Sequence, residues 1–230
     1  MDSRQFKADL HIHTHHSKDS LSKPGEILAA AVKKGLSAVA ITDHDGIAGA
    51  LETRELAAEK GIPLQVIVGE EVATGSGDLL LYFLKRKINP APLDAVLKES
   101  QKQGAVCCAA HPYDFARRGI NLDGLAPAAL SRIGAIEAFN ARASLPSHNA
   151  AALSFAKIHG KAILAGSDAH HPSEIGAAFV EFGGIKKLDA HSLLFAPRSI
   201  DGSLSPAYVH AFSRYAFLKK KAASLLKAQP

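Results

Sequence analysis

The chain has 230 residues, of which 47% are hydrophobic and 21% are charged, and its formal net charge at pH 7 is +5. This composition is ordinary for a globular protein, and a domain of this length buries a substantial core without disulfides. No apolar run is long enough to cross a bilayer, so we expect no membrane partner. The positive charge weakly favours anionic partners such as nucleotides or nucleic acid.

The cysteines and the N-terminus bear on location. Cys107 and Cys108 are adjacent within an apolar run and cannot form an ordinary disulfide, so they are expected to be buried. The first seven residues are polar and lack the apolar stretch of a signal peptide. These observations predict a cytoplasmic protein.

Short apolar runs alternate with amphipathic patterns along the chain. The runs predict strands, in chain order, at 8–14, 38–42, 64–68, 79–84, 105–110, 135–139, 162–165 and 178–182. Helical patterns cover 24–34, 50–60, 93–103 and 149–159, and each is followed by a glycine, the usual helix stop. This alternation favours parallel strand–helix–strand units in a compact barrel, with an open doubly wound sheet as the alternative.

The chain after 183–184 is predicted to be a C-terminal extension with a last helix that begins near Pro206. Tyr208, Phe212 and Tyr215 share one face of this helix and are expected to pack on the barrel. The lysines of its last dozen residues are expected to form a solvated face.

Metal-ligand residue types stand at the ends of six predicted strands. In the first strand His11 and His13 are two residues apart, so both imidazoles point to one side. The other five strand ends carry Asp43-His44-Asp45, Glu70-Glu71, His111-Pro112, Asn140 and Asp168-Ala169-His170. Because the carboxyl ends of parallel barrel strands meet at one rim, these side chains are predicted to converge there.

Each of these motifs alone has a simpler interpretation, as surface histidines, a helix cap or a turn. Their common position at strand ends favours a metal site instead. Histidine and carboxylate ligands suit Zn²⁺, Mn²⁺ or Fe²⁺, and their number exceeds the three or so protein ligands that one catalytic ion requires. The pattern therefore predicts two or three ions, which can activate water and bind phosphoryl oxygens.

These residues resemble the PHP (polymerase and histidinol phosphatase) family. The resemblance rests on the motifs DLHIHT at 9–14, ITDHD at 41–45, GEEV at 69–72, AHP at 110–112 and GSDAH at 166–170. It implies an α/β fold, a distorted (β/α)₇ TIM-like barrel with a short C-terminal helical tail. It also implies one domain over 1–230, with a core at about 7–183 and an extension at 184–230, and hydrolysis of phosphate esters.

The family's functional residues map onto this chain at matching positions. Asp19 falls where some members place a ligating histidine, and Asn140 falls where several members have one. Asp43 corresponds to a metal ligand or to a residue that supports one, and with Asp168 and His170 it is predicted to be catalytic. The implied ligands of two or three Mn, Zn or Fe ions are His11, His13, Asp19, His44, Glu71, His111, Asn140, Asp168 and His170.

The loop after His111-Pro112 carries two arginines, Arg117 and Arg118, which suit bidentate phosphate binding. We expect Arg118 to turn inward because it adjoins Gly119.

The chain looks more like the small nucleotide-phosphatase branch, so we predict a metal-dependent phosphatase that cleaves a nucleotide-like monoester with a metal-activated hydroxide. The alternatives are a phosphodiesterase or exonuclease acting on an oligonucleotide, and a non-catalytic RNA- or protein-binding barrel. The oligomeric state stays open.

Overall fold

The computed structural model describes residues 5–227, with side chains through Leu225. Its strands form one sheet in the order β7-β6-β5-β4-β3-β2-β1-β8-β9. The strands are β1 (Phe6–Ile12), β2 (Ala38–Ile41), β3 (Gln65–Thr74), β4 (Gly77–Tyr82), β5 (Val106–Ala109), β6 (Ala135–Asn140), β7 (Ala162–Gly166), β8 (Ala178–Phe182) and β9 (Arg198–Gly202). The described residues also form seven α-helices: α1 (Pro24–Lys33), α2 (Ala48–Glu59), α3 (Leu93–Gln103), α4 (Pro127–Leu130), α5 (Pro146–Ile158), α6 (Ala190–Phe195) and α7 (Val209–Lys227).

The sheet is mixed, so the expectation of uniformly parallel units is wrong for two of the predicted strands. β4 is antiparallel to both β3 and β5, and β8 is antiparallel to β1. The physical reason for β4 is its short link to β3, since residues 75–76 leave no room for the crossover that a parallel pair needs. The remaining predicted strands, β1, β2, β3, β5, β6 and β7, run in one direction. These six strands are the ones that end in ligand-type residues.

The sheet curves into a nearly closed barrel, which confirms the predicted fold class. Its seam lies where β1 meets the segment after β7. Ile12 and Ala169 form a parallel bridge there, and the amide of His13 donates to the carbonyl of Ala169 at 2.9 Å. Gly166 permits this close approach, because a Cβ at that position would lie 2.4 Å from the Cβ of His11. The two predicted ligands of β1 therefore lie at the barrel seam.

Successive side chains along a strand point to opposite faces and pack in two separate hydrophobic cores. In β2, Val39 and Ile41 join the cluster that packs against the surrounding helices, whereas Ala38 and Ala40 join the cluster inside the barrel. Cys107 and Cys108 divide in the same way and both are buried, as predicted. Burial raises the pKa of the Cys107 thiol to about 12, so the thiol is unreactive at neutral pH.

Helix α7 lies against the barrel rim through a different face from the one predicted. Its buried contacts are Val209 and Ala216, two turns apart, while Tyr208 and Tyr215 are 66% and 61% exposed. The expectation that the tyrosines pack on the barrel is therefore wrong. Polar contacts determine which face is buried, because Lys220 donates to the backbone oxygen of His15 at 2.5 Å. None of the described helices is long and apolar enough to span a membrane.

Candidate metal centre

The carboxyl ends of the six codirectional strands surround one cavity of about 260 Å³. His11 and His13 are fully buried beneath it. The predicted site residues that line it are Asp19, His44, Glu71, His111, Arg117, Arg118, Asp168 and His170. The structure thus places residues from distant parts of the sequence at one rim, as parallel strands in a barrel require.

Glu71 lies at the centre of the predicted ligand set. Its Oε2 is 3.1 Å from His11 Nε2 and 3.3 Å from His13 Nε2, and its Oε1 is 3.0 Å from His111 Nε2. His44 Nδ1 approaches Oε2 at 3.4 Å. Burial opposes the charged form of Glu71, but the charges of His44 and His11 hold the pKa of this carboxyl well below its usual range. One carboxylate with both oxygens engaged in this way is suited to bridge two cations.

Asp168 is the second buried carboxylate of the set. Its Oδ1 is 3.3 Å from His13 Nε2 and 3.6 Å from His11 Nε2, and it has no hydrogen-bond partner in the described part of the chain. Its Oδ2 accepts hydrogen bonds from Asn140 at 3.0 Å and from Arg117. Burial opposes the ionised form, but the charges of Arg117 and His11 hold the pKa of Asp168 well below its usual range. An unpartnered buried carboxylate oxygen costs free energy unless a cation or a proton occupies it.

A third group of donors lies nearer to solvent. Asp19 Oδ2 is 3.3 Å from both His44 Nε2 and His170 Nε2. The Nδ1 of His170 is 2.8 Å from the carbonyl of Asp168, which can only accept, so Nδ1 carries the proton and Nε2 keeps its lone pair. Burial and the neighbouring His13 lower the pKa of His170 to about 4. His170 is therefore neutral at pH 7 and can act as a ligand.

The arrangement of these atoms fits divalent cations. Three groups, each with ligand atoms within 4.8 Å of one another, are His11–His13–Asp168, Glu71–Asp78–His111 and His13–Asp19–His44–His170. Separations of 3.0–3.6 Å between donors match the edges of a coordination shell, which measure about 3.3 Å for bonds near 2.1 Å. The described residues thus include groups that could hold several metal ions.

The predicted ligand Asn140 and the predicted catalytic residue Asp43 are engaged in protein contacts. The Asn140 amide donates to Glu137 and Asp168, and its oxygen accepts a hydrogen bond from Arg117 at 3.1 Å. Asp43 accepts hydrogen bonds from the amide and hydroxyl of Thr14 at 2.5 and 2.6 Å. Both side chains lie outside the three donor groups and hold neighbouring residues in place.

The two arginines of the loop after β5 diverge. Arg117 turns inward, forms an ion pair with Asp168, and leaves only 19% of its side chain exposed. Arg118 is 57% exposed and reaches Asp78 through its Nε at 2.9 Å. Both side chains line the cavity, but Arg118, which was expected to turn inward, is the more exposed of the two. Arg118 has the left-handed φ of +64°.

The backbone is strained at several of these positions. His111 and Asp168 have φ values of +27° and +54°, which residues with a Cβ rarely adopt. Such conformations cost roughly 1–3 kcal/mol each and are found mainly at functional sites. The strain at two predicted ligands supports a function at this rim beyond stability.

Sequence reasoning missed several residues of the site. Glu137 accepts from His11 Nδ1 at 2.9 Å and from the amide of His111 at 2.7 Å, so it orients two predicted ligands. In the sequence, Glu137 was marked only as a single charged residue within the apolar run that forms β6. Further residues that line the cavity, and that no local motif marked, include Asp78, Arg142 and His210.

Comparison with known proteins agrees with this geometry. The model of the PHP domain matches residues 9–141, and a PHP-associated model matches 146–195. The chain belongs to the PHP domain family. A PHP-type site accounts for why six strand ends converge with histidines and carboxylates, and the predicted family membership is confirmed.

Relatives of this PHP chain include one protein that it matches over most of its length and one that it matches over only a small part. It is 34% identical over 182 residues to an uncharacterized protein of Methanocaldococcus jannaschii, covering 77% of this chain and 70% of the relative. An error-prone DNA polymerase of Nocardia farcinica is 36% identical over 107 residues, or 46% of this chain and 8% of the polymerase.

A solved structure shares the fold. It is a two-domain protein of Bacteroides vulgatus described as containing a predicted PHP-like metal-dependent phosphoesterase. The TM-score is 0.66 at 20% identity, and the match covers 93% of this chain and 70% of the other.

Proposed function

We propose that this chain is a metal-dependent phosphoesterase that hydrolyses a phosphate monoester, with a nucleotide-like substrate. The observation that carries the proposal is the convergence of three donor groups with an inward-facing arginine in one cavity. Divalent cations and a guanidinium group are two common means by which proteins bind phosphoryl oxygens. A PHP-like phosphoesterase neighbour supports the same reaction class.

We further propose that the donor groups hold two or three ions of Mn, Zn or Fe. The ligands would be His11, His13, Asp19, His44, Glu71, His111, Asp168 and His170, and Asp78 is a further candidate beside Glu71 and His111. Asn140 and Asp43 would act by positioning, as their hydrogen bonds suggest. When bound, such ions supply Lewis-acid activation of water and of the phosphoryl group.

Three side chains of the cavity are assigned the remaining roles in this proposal, which are phosphate binding and proton handling. Arg117 presents a forked guanidinium beside Asp168 and is suited to hold the oxygens of a phosphate during displacement. Asp168 Oδ1 has no protein partner among the described residues, so this carboxylate can accept a hydrogen bond from an attacking water and orient it. Neutral His170 lines the same cavity, and where its Nε2 holds no ion this nitrogen can take the proton of the water and pass it to the departing alcohol oxygen.

A second candidate function, cleavage of a phosphodiester in an oligonucleotide, has a specific observation in its favour. A neighbouring cavity shares His44 and Asp45 with the site and is lined by Lys85, Arg86 and Lys87. Such a basic segment suits the further phosphates of a strand. The similarity to part of a DNA polymerase fits the same idea. A non-catalytic binding barrel is less consistent with the retained ligand types.

The test is a phosphate-release screen over nucleotides, sugar phosphates, histidinol phosphate and short oligonucleotides, with Mn²⁺, Zn²⁺ or Fe²⁺ supplied. We expect release from monoesters, abolished by chelator and restored by metal. Asp168→Ala and His13→Ala are expected to lose activity by orders of magnitude and to stay folded. The absence of hydrolysis, together with no metal in the purified protein, would refute the proposal. Products that retain a terminal phosphate would favour the diesterase.

A further inference from the structure

A groove of about 460 Å³ lies beside the catalytic cavity, and His170 lines both. One wall comes from α7, through Phe212, Tyr215 and Ala216, and the opposite wall includes His171 and Pro172. Helix α7 lies beyond residue 195, where the family matches end. This wall is therefore a feature of the chain outside the matched PHP segments.

The groove is lined mainly by apolar and aromatic side chains. The rings of Phe212 and His171 pack against each other with centroids 4.6 Å apart, so a planar ligand can lie on these rings but not between them. Tyr215 is 61% exposed although it is a large aromatic residue, so its ring is available to a ligand. Planar organic groups bind well to such surfaces because stacking on aromatic rings adds to the burial of apolar area.

The size of the metal-site cavity favours a phosphate over a larger group. Pockets that enclose drug-sized molecules measure roughly 300–1,000 Å³. This cavity, at about 260 Å³, is smaller than that range, and its walls carry charged ligand-type residues. It suits a phosphate better than a phosphate together with a bulky organic group.

The position of α7 is held by polar contacts, so the groove is built into the fold. Buried Arg142 donates to the carbonyl of Val209 at 3.2 Å and to the hydroxyl of Ser213 at 2.9 Å, both in the first turns of α7. Lys220 donates to the backbone oxygens of His15 and Ser17 further along the helix. These contacts join the helix to the catalytic rim at two points.

We infer that this groove is the subsite for the leaving group, and that it selects phosphate esters of planar aromatic alcohols or nucleosides over those of small aliphatic alcohols. The inference rests on the proposed phosphoesterase function. The phosphate occupies the cavity beneath Arg117, and the ester oxygen passes His170 into the groove. Phe212 and Tyr215 then stack on the planar group.

The experiment measures binding and needs no turnover. Calorimetry on the Mn²⁺-loaded protein compares benzylphosphonate with ethylphosphonate, which share the anionic group and cannot be hydrolysed. We expect the wild type to bind the benzyl compound about tenfold more tightly. Phe212→Ala and Tyr215→Ala should bring the ratio close to one and leave the affinity for ethylphosphonate unchanged, which also shows that the site is folded.

Phe217→Ala is the matched control, because Phe217 is on the same helix, is 38% exposed and does not line the groove. It should retain the benzyl preference. If the wild type shows no preference, or if Phe217→Ala abolishes it equally, the subsite is refuted while the phosphoesterase proposal stands. If neither phosphonate binds, phosphate binding at this rim and the subsite both fail.

Discussion

Replacing Arg117 with alanine tests which arginine of the loop binds phosphate. Its guanidinium contacts Asp168, the oxygen of Asn140 at 3.1 Å and the carbonyl of Arg142 at 3.1 Å, in a largely buried position. Loss of one such charge-stabilising donor costs roughly 2–4 kcal/mol in the transition state. We therefore expect kcat/KM to fall by about 30- to 1,000-fold.

Arg118→Ala is the matched control from the adjacent position. The Arg118 side chain is 57% exposed although its partner Asp78 is buried, and ion pairs that solvent screens contribute about 0–1 kcal/mol. Its effect on kcat/KM should stay below about fivefold. Arg117→Lys should recover part of the loss, because lysine keeps the charge but loses the fork.

The assay is steady-state phosphate release on the best substrate of the screen, with thermal melting of each variant as a check on folding. Equal losses for the two alanine variants would show that the loop acts as a whole and not through Arg117. Wild-type efficiency in Arg117→Ala would show that the phosphate contacts lie elsewhere.

Three other predictions concern the support of the site. Glu137→Gln should lower metal affinity by about 10- to 100-fold, measured as metal content after dialysis against graded chelator, because the carboxylate no longer orients His11. Unchanged metal content would contradict this. Gly166→Ala should destabilise the protein by roughly 1–3 kcal/mol in urea unfolding, whereas Gly75→Ala, with open space at its Cβ, should change stability by less than about 0.5 kcal/mol. The adjacent cysteines should react with a thiol reagent only after unfolding, and labelling of the native protein would show that they are accessible.

The convergence of the strand ends was predictable because the same pattern occurs at each of them. Each codirectional strand ends in a residue of a type that can bind metals, and strand ends of a barrel converge for geometric reasons. Strand direction was harder to predict, since an apolar run such as 79–84 has the same composition whether it runs parallel or antiparallel. The short turn at 75–76 was the one local indication that β4 reverses.

The details of the site could not be predicted because they depend on long-range packing. Arg117 and Arg118 are neighbours in sequence, and their partners Asp168 and Asp78, which are 51 and 40 residues away in the chain, determine which of them is buried. The face that α7 buries is likewise determined by Arg142 and Lys220, whose partners are about 70 and 205 residues away in the chain. Helical periodicity alone pointed to the tyrosine face.

The barrel seam links metal content to the motions of the sheet. Strand β1 meets the chain after β7 through the bridge between Ile12 and Ala169, next to His11, His13 and Asp168. Ions that bind only the closed arrangement oppose separation of the two sheet edges by mass action. Without them, local opening is expected to begin here, so amide hydrogen exchange at His13 and Ala169 should slow as metal is added. The proposed metal centre would then also hold the barrel closed.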